Sequence, residues 1–111
     1  NNTAGSIVGY KYFNLDKTRK CKDLSLEFLM VPGGVDGELV IMIDSPYESK
    51  GGKVVGSLKL DASLPQEMTE RKADVKLGKV KGKHPIYFIF RSQTQGKSLC
   101  DLYSFRFRDG R

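Results

Sequence analysis

Apolar and polar residues alternate with a period of two along most of this chain, and helix-length patterns with a period of 3.6 residues are missing. Period-two alternation is typical of strands that bury one face. The stretch 66–76 is more polar, and we expect a loop followed by a strand there. In the last alternating run, Tyr103, Phe105 and Phe107 share one face. The pattern predicts about seven strands, within residues 6–14, 24–30, 38–44, 53–61, 66–76, 86–91 and 99–107.

Two of the predicted strands, 38–44 and 86–91, are apolar on both faces. In the strand 53–61, we expect Val54 to lie on the core face with Leu58 and Leu60. The second, outward face then carries a group of apolar side chains: Val40, Met42, Val55, Tyr87 and Ile89. Such a surface usually binds a ligand or a neighbouring domain, or is covered by chain termini.

Short strands joined by turns, without helices, are typical of an all-β, antiparallel β-sandwich or jelly roll. The 111 residues fit one domain, which we expect to span 1–111. No apolar run is long enough to cross a membrane, and the first residues lack the features of a signal peptide. We therefore expect no membrane partner and expect any signal peptide to lie upstream.

The formal net charge of +6 raises the question of a polyanionic partner. Two basic clusters, 17–22 and 76–83, flank predicted turns, where solvated lysines are common. The run 105–108 alternates Phe with Arg, which resembles an aromatic nucleic-acid platform. Alternation on a strand sends its rings and its guanidinium groups to opposite faces, so we expect no nucleic acid. Recognition of an acidic polysaccharide or another polyanion is a hypothesis that rests on the net charge alone.

Catalytic and metal-binding patterns are missing from the sequence. The one histidine, His84, stands beside Pro85 in the predicted turn 82–85 and has no ligand cluster at metal spacing. The two cysteines, Cys21 and Cys100, lie far apart in sequence, which leaves open whether they form a disulfide. A retaining glycosidase needs two carboxylates about 5 Å apart, but among thirteen acids such a pair arises easily by chance and is no evidence for catalysis. We therefore expect the domain not to be an enzyme.

Three segments follow a recognisable pattern: Gly51–Leu58 (GGKVVGSL), Val80–Phe90 (VKGKHPIYFIF) and Leu99–Phe107 (LCDLYSFRF). Together they resemble the family 6 carbohydrate-binding modules, in the same order along the chain. The opening segment 5–13 and the segment 99–105 resemble more specifically the modules appended to family 43 glycoside hydrolases, which attack arabinose- and xylose-containing polymers. The resemblance implies a β-jelly roll that holds a polysaccharide near a catalytic domain of the same chain.

In that family a sugar ring is clamped between two aromatic side chains at the loop edge of the sandwich, and an Asn binds its hydroxyls. The resemblance places Ile7 and Glu70 at the aromatic positions and Asp101 at the Asn position, and the chain has no Trp. The edge site is therefore expected to bind weakly or not at all. Tyr10, Tyr12, Tyr47 and Tyr87 are then the aromatics available to stack on a sugar at the sheet face.

The resemblance places the family's structural calcium on acids of an opening strand that has no counterpart in this sequence, and the late Asp of that site aligns with Tyr103. No cofactor is therefore predicted, and a metal site is left unassigned. The resemblance implies a piece of a longer, secreted or periplasmic glycoside hydrolase that binds xylan or arabinoxylan. The alternative is a structural accessory domain that has lost sugar binding and packs on the catalytic domain through its apolar second face.

Overall fold

The structure, a computed structural model, describes residues 2–14, 24–77, 82–93 and 98–109. Strands form most of these residues, and the only helical element among them is one 3-10 turn, Glu48–Lys50. The predicted loop and strand at 66–76 are confirmed. The strands are β1 (Asn2–Thr3), β2 (Ile7–Asn14), β3 (Leu24–Pro32), β4 (Gly37–Ile43), β5 (Lys53–Leu60), β6 (Thr69–Asp74), β7 (Lys83–Arg91) and β8 (Ser98–Asp109).

The strands form two four-stranded sheets in which every pair is antiparallel. Sheet I has the order β1-β8-β3-β6, and sheet II has the order β2-β7-β4-β5. Successive strands lie in opposite sheets, except that β4 and β5 are neighbours in sheet II, and the result is the antiparallel β-sandwich that the sequence predicts. At one side β5 and β6 meet through a bridge between Gly56 and Val75. At the other side, Gly5 donates a backbone hydrogen bond to Phe90.

The hydrophobic core lies between the sheets and is formed by the alternating residues of both. Its centre is aromatic. The Phe88 ring lies 5.2 Å from Phe28 and 4.8 Å from Phe105, with edge-to-face geometry in both pairs. Phe28 and Phe105 come from the neighbouring strands β3 and β8 of sheet I, and Phe88 comes from β7 of sheet II. The contacts of Phe88 therefore hold the two sheets together.

Two β-bulges reverse side chains that the simple alternation assigned to the other face. The register of β4 and β5 shifts between Ile41 and Met42, so Val54 is 44% exposed while Val55 joins the core. A second shift, in the pairing of β3 with β8, leaves Tyr103 60% exposed. The predicted inward position of Val54 and Tyr103 is therefore wrong. A bulge inserts one residue into one strand and so changes the phase of all that follow.

Some predictions concern residues outside the described part of the chain. Cys21 is one of them, as is most of the two basic clusters, namely Lys17, Arg19, Lys20, Lys22, Lys79 and Lys81. Within the described residues, no helix has the length and apolar character that crossing a membrane requires.

Candidate functional site

The three residues of the predicted edge site do not lie together. Glu70 pairs with Leu29 and Asp101 pairs with Val31, on opposite sides of β3 in sheet I. With one strand between them, the two acids are about 10 Å apart across the sheet. Ile7 lies in sheet II on the edge strand β2, whereas β6 with Glu70 lies beside β5 at the opposite edge. An edge clamp built from these three residues is therefore not formed.

The outer face of sheet I is a polar surface whose charges are largely paired. Arg106 donates two hydrogen bonds to Oε1 of Glu27, at 3.1 and 2.8 Å, and Arg108 lies 3.3 Å from its other oxygen. These contacts lower the pKa of Glu27, with the hydrogen bond from Arg106 as the largest cause. Glu70 borders a small cavity beside this network. The arrangement is typical of a solvated sheet face.

Tyr10 lies in the core and not on a ligand-binding face. It pairs with the inward-facing Ile86 and packs against Phe88 and Phe105, at centroid distances of 5.7 and 4.7 Å. The strand alternation of β2 turns the Tyr10 ring toward the core and away from the outer face of sheet II, and its role as a stacking platform stays a prediction.

The outer face of sheet II carries the apolar surface that the alternation predicts, apart from Val55. Val40, Met42 and Ile89 form a second buried cluster with the half-buried Tyr87 packed against it. Ile7 pairs with Ile89 on the same face and is 39% exposed. The apolar strip thus runs across three neighbouring strands, β2, β7 and β4.

Tyr87 lies against the edge strand. Its ring is so close to Gly9 that a Cβ atom at that position would lie 2.9 Å from the ring carbon Cε1. Glycine in a strand often marks such a close approach, and an aromatic ring over it restores the missing packing. The Tyr87 ring is therefore packed along the outer face of sheet II.

A loop between β4 and β5 folds over one part of the apolar strip. The backbone N–H groups of Lys50 and Gly52 both donate to the Tyr47 carbonyl at 3.0 Å, and the Tyr47 N–H donates to Oγ of Ser45. Gly52 packs against the Met42 side chain. The Tyr47 ring remains 50% exposed, with Nζ of Lys50 at 5.7 Å from its centroid. The loop thus holds an aromatic ring beside the strip.

A hydrogen bond between two side chains holds the start of this loop. His84 donates from Nδ1 to Oδ1 of Asp44 at 2.6 Å, and the Asp44 N–H donates to the Pro85 carbonyl. Asp44 has a positive φ of 73°, which non-glycine residues adopt at a cost. His84 lies within β7 and not in the predicted turn. Among the described residues, no group of three or more His, Cys, Asp and Glu side chains lies together as a metal site requires.

A groove of about 430 Å³ lies between the loop and the strip. Ile7 and Ile89 form its apolar floor, Tyr47 stands at one wall, and Arg91 lies at one end. Arg91 also lines a second, more polar cavity of about 690 Å³, which contains Glu38. In the part of the chain that the structure describes, the side chains of Glu38 and Arg91 form no ion pair or hydrogen bond.

The polar end of the groove was not predicted, although the alternation contains the signal for it. Glu38 stands two residues before Val40, and Arg91 stands two residues after Ile89, so both belong to the outward face. The groove combines an apolar floor, one exposed aromatic ring and the charged Arg91, and the adjoining cavity adds Glu38. Sugar rings present apolar C–H faces and many hydroxyls, and this combination suits both.

The one described cysteine is not placed for chemistry. Cys100 is fully buried, and burial, followed by the charge of Asp101, raises its pKa to about 11. It is a neutral thiol at physiological pH. Cys21, the other cysteine of the sequence, lies outside the described residues, so the open question of a disulfide between the two stays untested.

No protein-family model and no curated relative matches this chain. Among solved structures, the fold is similar to the crystal structure of a glycoside hydrolase family 43 arabinoxylan arabinofuranohydrolase from Bacillus subtilis in complex with cellotetraose, with a TM-score of 0.74 and 19% sequence identity. The match covers 96% of this chain and 20% of the hydrolase chain. At this identity the likeness shows the fold, and the chain spans about a fifth of that protein.

Proposed function

We propose that this domain is a non-catalytic carbohydrate-binding module, of the kind that accompanies a secreted family 43 glycoside hydrolase. The observation that carries the proposal is the groove on the outer face of sheet II, where Ile7, Ile89 and Tyr47 adjoin Arg91 and, in the neighbouring cavity, Glu38. The fold shared with part of a family 43 hydrolase supports it. The ligand class that follows is a plant polysaccharide such as xylan or arabinoxylan.

Sugar binding at this groove relies on a single exposed ring and two aliphatic side chains. Apolar sugar faces stack on Tyr47 and on the floor formed by Ile7 and Ile89, while Glu38 accepts and Arg91 donates hydrogen bonds to hydroxyls. Hydroxyls exchange water for these partners with little net gain. The affinity is accordingly weak, with a dissociation constant on the order of 1 mM.

Two exposed tyrosines, one beside the groove and one on the opposite sheet, provide the test of sugar binding at the groove. Tyr47 is 50% exposed beside the groove, and Tyr103 is 60% exposed on β8 of sheet I. In isothermal titration with xylo-, arabinoxylo- and cello-oligosaccharides, Tyr47→Ala is expected to weaken binding about tenfold, because the stacking surface is lost. Tyr103→Ala should bind as the unmodified chain does.

Equal affinity in Tyr47→Ala and the unmodified chain would remove the groove as the binding site. If no oligosaccharide releases heat, the carbohydrate-binding role is wrong for these glycans. The exposed Ile7, Val54 and Tyr47 then favour the alternative, in which this face packs on a catalytic domain.

A further inference from the structure

We propose that the groove prefers glycans that carry a uronic acid, and that Arg91 binds the sugar carboxylate. This inference rests on the proposed function and specifies the ligand class of the same site. Arg91 is the one charged residue among those described that line the groove; the others are apolar, small or neutral polar residues. A negative charge inside the groove therefore has one direct partner.

The position of Arg91 matches the length of a sugar unit. It follows Ile89 by two residues on the outward face of β7, which corresponds to about 7 Å along the strand. A ring stacked on Ile89 and Ile7 therefore places its own substituents, or those of the next ring, within reach of the Arg91 side chain. Arg91 is exposed, so it can adjust to either arrangement.

The chemistry of the guanidinium group favours a carboxylate over a hydroxyl. Its planar N–H fork matches the two carboxylate oxygens and gives charge-assisted, bidentate hydrogen bonds. Such bonds are roughly twice as strong as those between neutral groups. A neutral sugar offers Arg91 only hydroxyls, which compete poorly with water.

The charges around Arg91 are mixed: Lys59 and Arg91 line the adjoining cavity together with Glu38 and Asp36, and of these four only Arg91 also lines the groove. Glu38 pairs across the sheet with Arg91 on one side and with Lys59 on the other, so one acid is shared between two cations. Nζ of Lys50 lies above the Tyr47 ring, at the wall of the groove that Tyr47 forms. Asp36, which lines the adjoining cavity, already accepts a hydrogen bond from the Ala62 N–H. Glu38 repels an anion from the adjoining cavity, so a carboxylate is expected to meet Arg91 from the side of the groove.

Three oligosaccharides of equal backbone length test the preference: xylotetraose, xylotetraose with one glucuronic acid branch, and the same branched compound after reduction of its carboxyl group. Titration at low salt is expected to show about tenfold tighter binding of the acidic compound than of the other two. The preference should shrink as sodium chloride is raised. The reduced compound keeps the size of the branch, so it isolates the charge.

Arg91→Gln is expected to remove the preference, and Arg91→Lys should retain part of it, because lysine offers a point charge without the planar fork. Lys72→Gln is the matched control, since it removes one positive charge from β6 of sheet I and should keep the preference. Equal binding of the acidic and reduced compounds would overturn the inference and leave the proposed function standing. A preference that survives Arg91→Gln would also overturn it. Absence of binding by all three compounds would overturn both proposals.

Discussion

Replacing Phe88 with alanine is expected to lower the free energy of unfolding by about 3–5 kcal/mol. The side chain is fully buried, and its ring contacts Phe28, Phe105 and Tyr10, so truncation leaves a cavity between the two sheets. A domain of this size is stable by about 5–15 kcal/mol, so the variant loses a large part of its stability. Urea unfolding followed by circular dichroism measures the change.

Tyr103→Ala is the control for this experiment, because it removes an aromatic ring from the surface. Its free energy of unfolding should stay within about 0.5 kcal/mol of the unmodified chain. A loss below about 1.5 kcal/mol in Phe88→Ala would show that the aromatic centre does not join the sheets as described. That outcome would contradict the packing on which the positions of both outer faces depend.

Gly52→Ala is expected to cost about 1–3 kcal/mol and to weaken oligosaccharide binding as much as Tyr47→Ala does. A Cβ atom at this position would overlap the Ser45 carbonyl oxygen and lie 2.8 Å from that of Tyr47. Both atoms belong to the backbone, so no rotamer change relieves the clash. The loop must open, and the Tyr47 ring then leaves the groove. Thermal unfolding and titration calorimetry measure the two effects.

Gly51→Ala separates the clash from simple backbone strain. Gly51 has a positive φ of 88°, but a Cβ atom there meets nothing within 4 Å. The strain of a left-handed alanine costs about 1 kcal/mol, and the position of Tyr47 should be preserved. Full affinity in Gly52→Ala would contradict the role of the loop in presenting Tyr47.

Strand alternation was sufficient to predict most of the fold. It identified the sandwich, and it identified the outward residues of β4 and β7, because these central strands are regular and both of their faces are apolar. It failed at Val54 and Tyr103, where a bulge changes the phase. A bulge depends on the pairing of two distant strands, so the sequence of one strand does not reveal it.

The candidate site was predicted in part. Tyr47 and Tyr87 were named, together with Tyr10, as aromatics available at the sheet face. The structure places Tyr47 and Tyr87 on the outer side of sheet II and packs Tyr10 against the core. The resemblance placed Ile7, Glu70 and Asp101 in one edge site, but these positions belong to different sheets or lie across β3. Matching positions in sequence does not specify how far apart two strands lie. The carboxylate-binding role proposed for Arg91 depends on the groove, which the sequence pattern alone does not reveal.

The most direct test of sugar binding at the groove is a nuclear magnetic resonance titration of the labelled chain with a xylo-oligosaccharide, which maps the amide shifts by residue. The largest shifts are expected at the groove on the outer face of sheet II, at Ile7, Tyr47, Ile89 and Arg91. Shifts centred on Glu70 and Asp101, or no shifts at millimolar ligand, would contradict it.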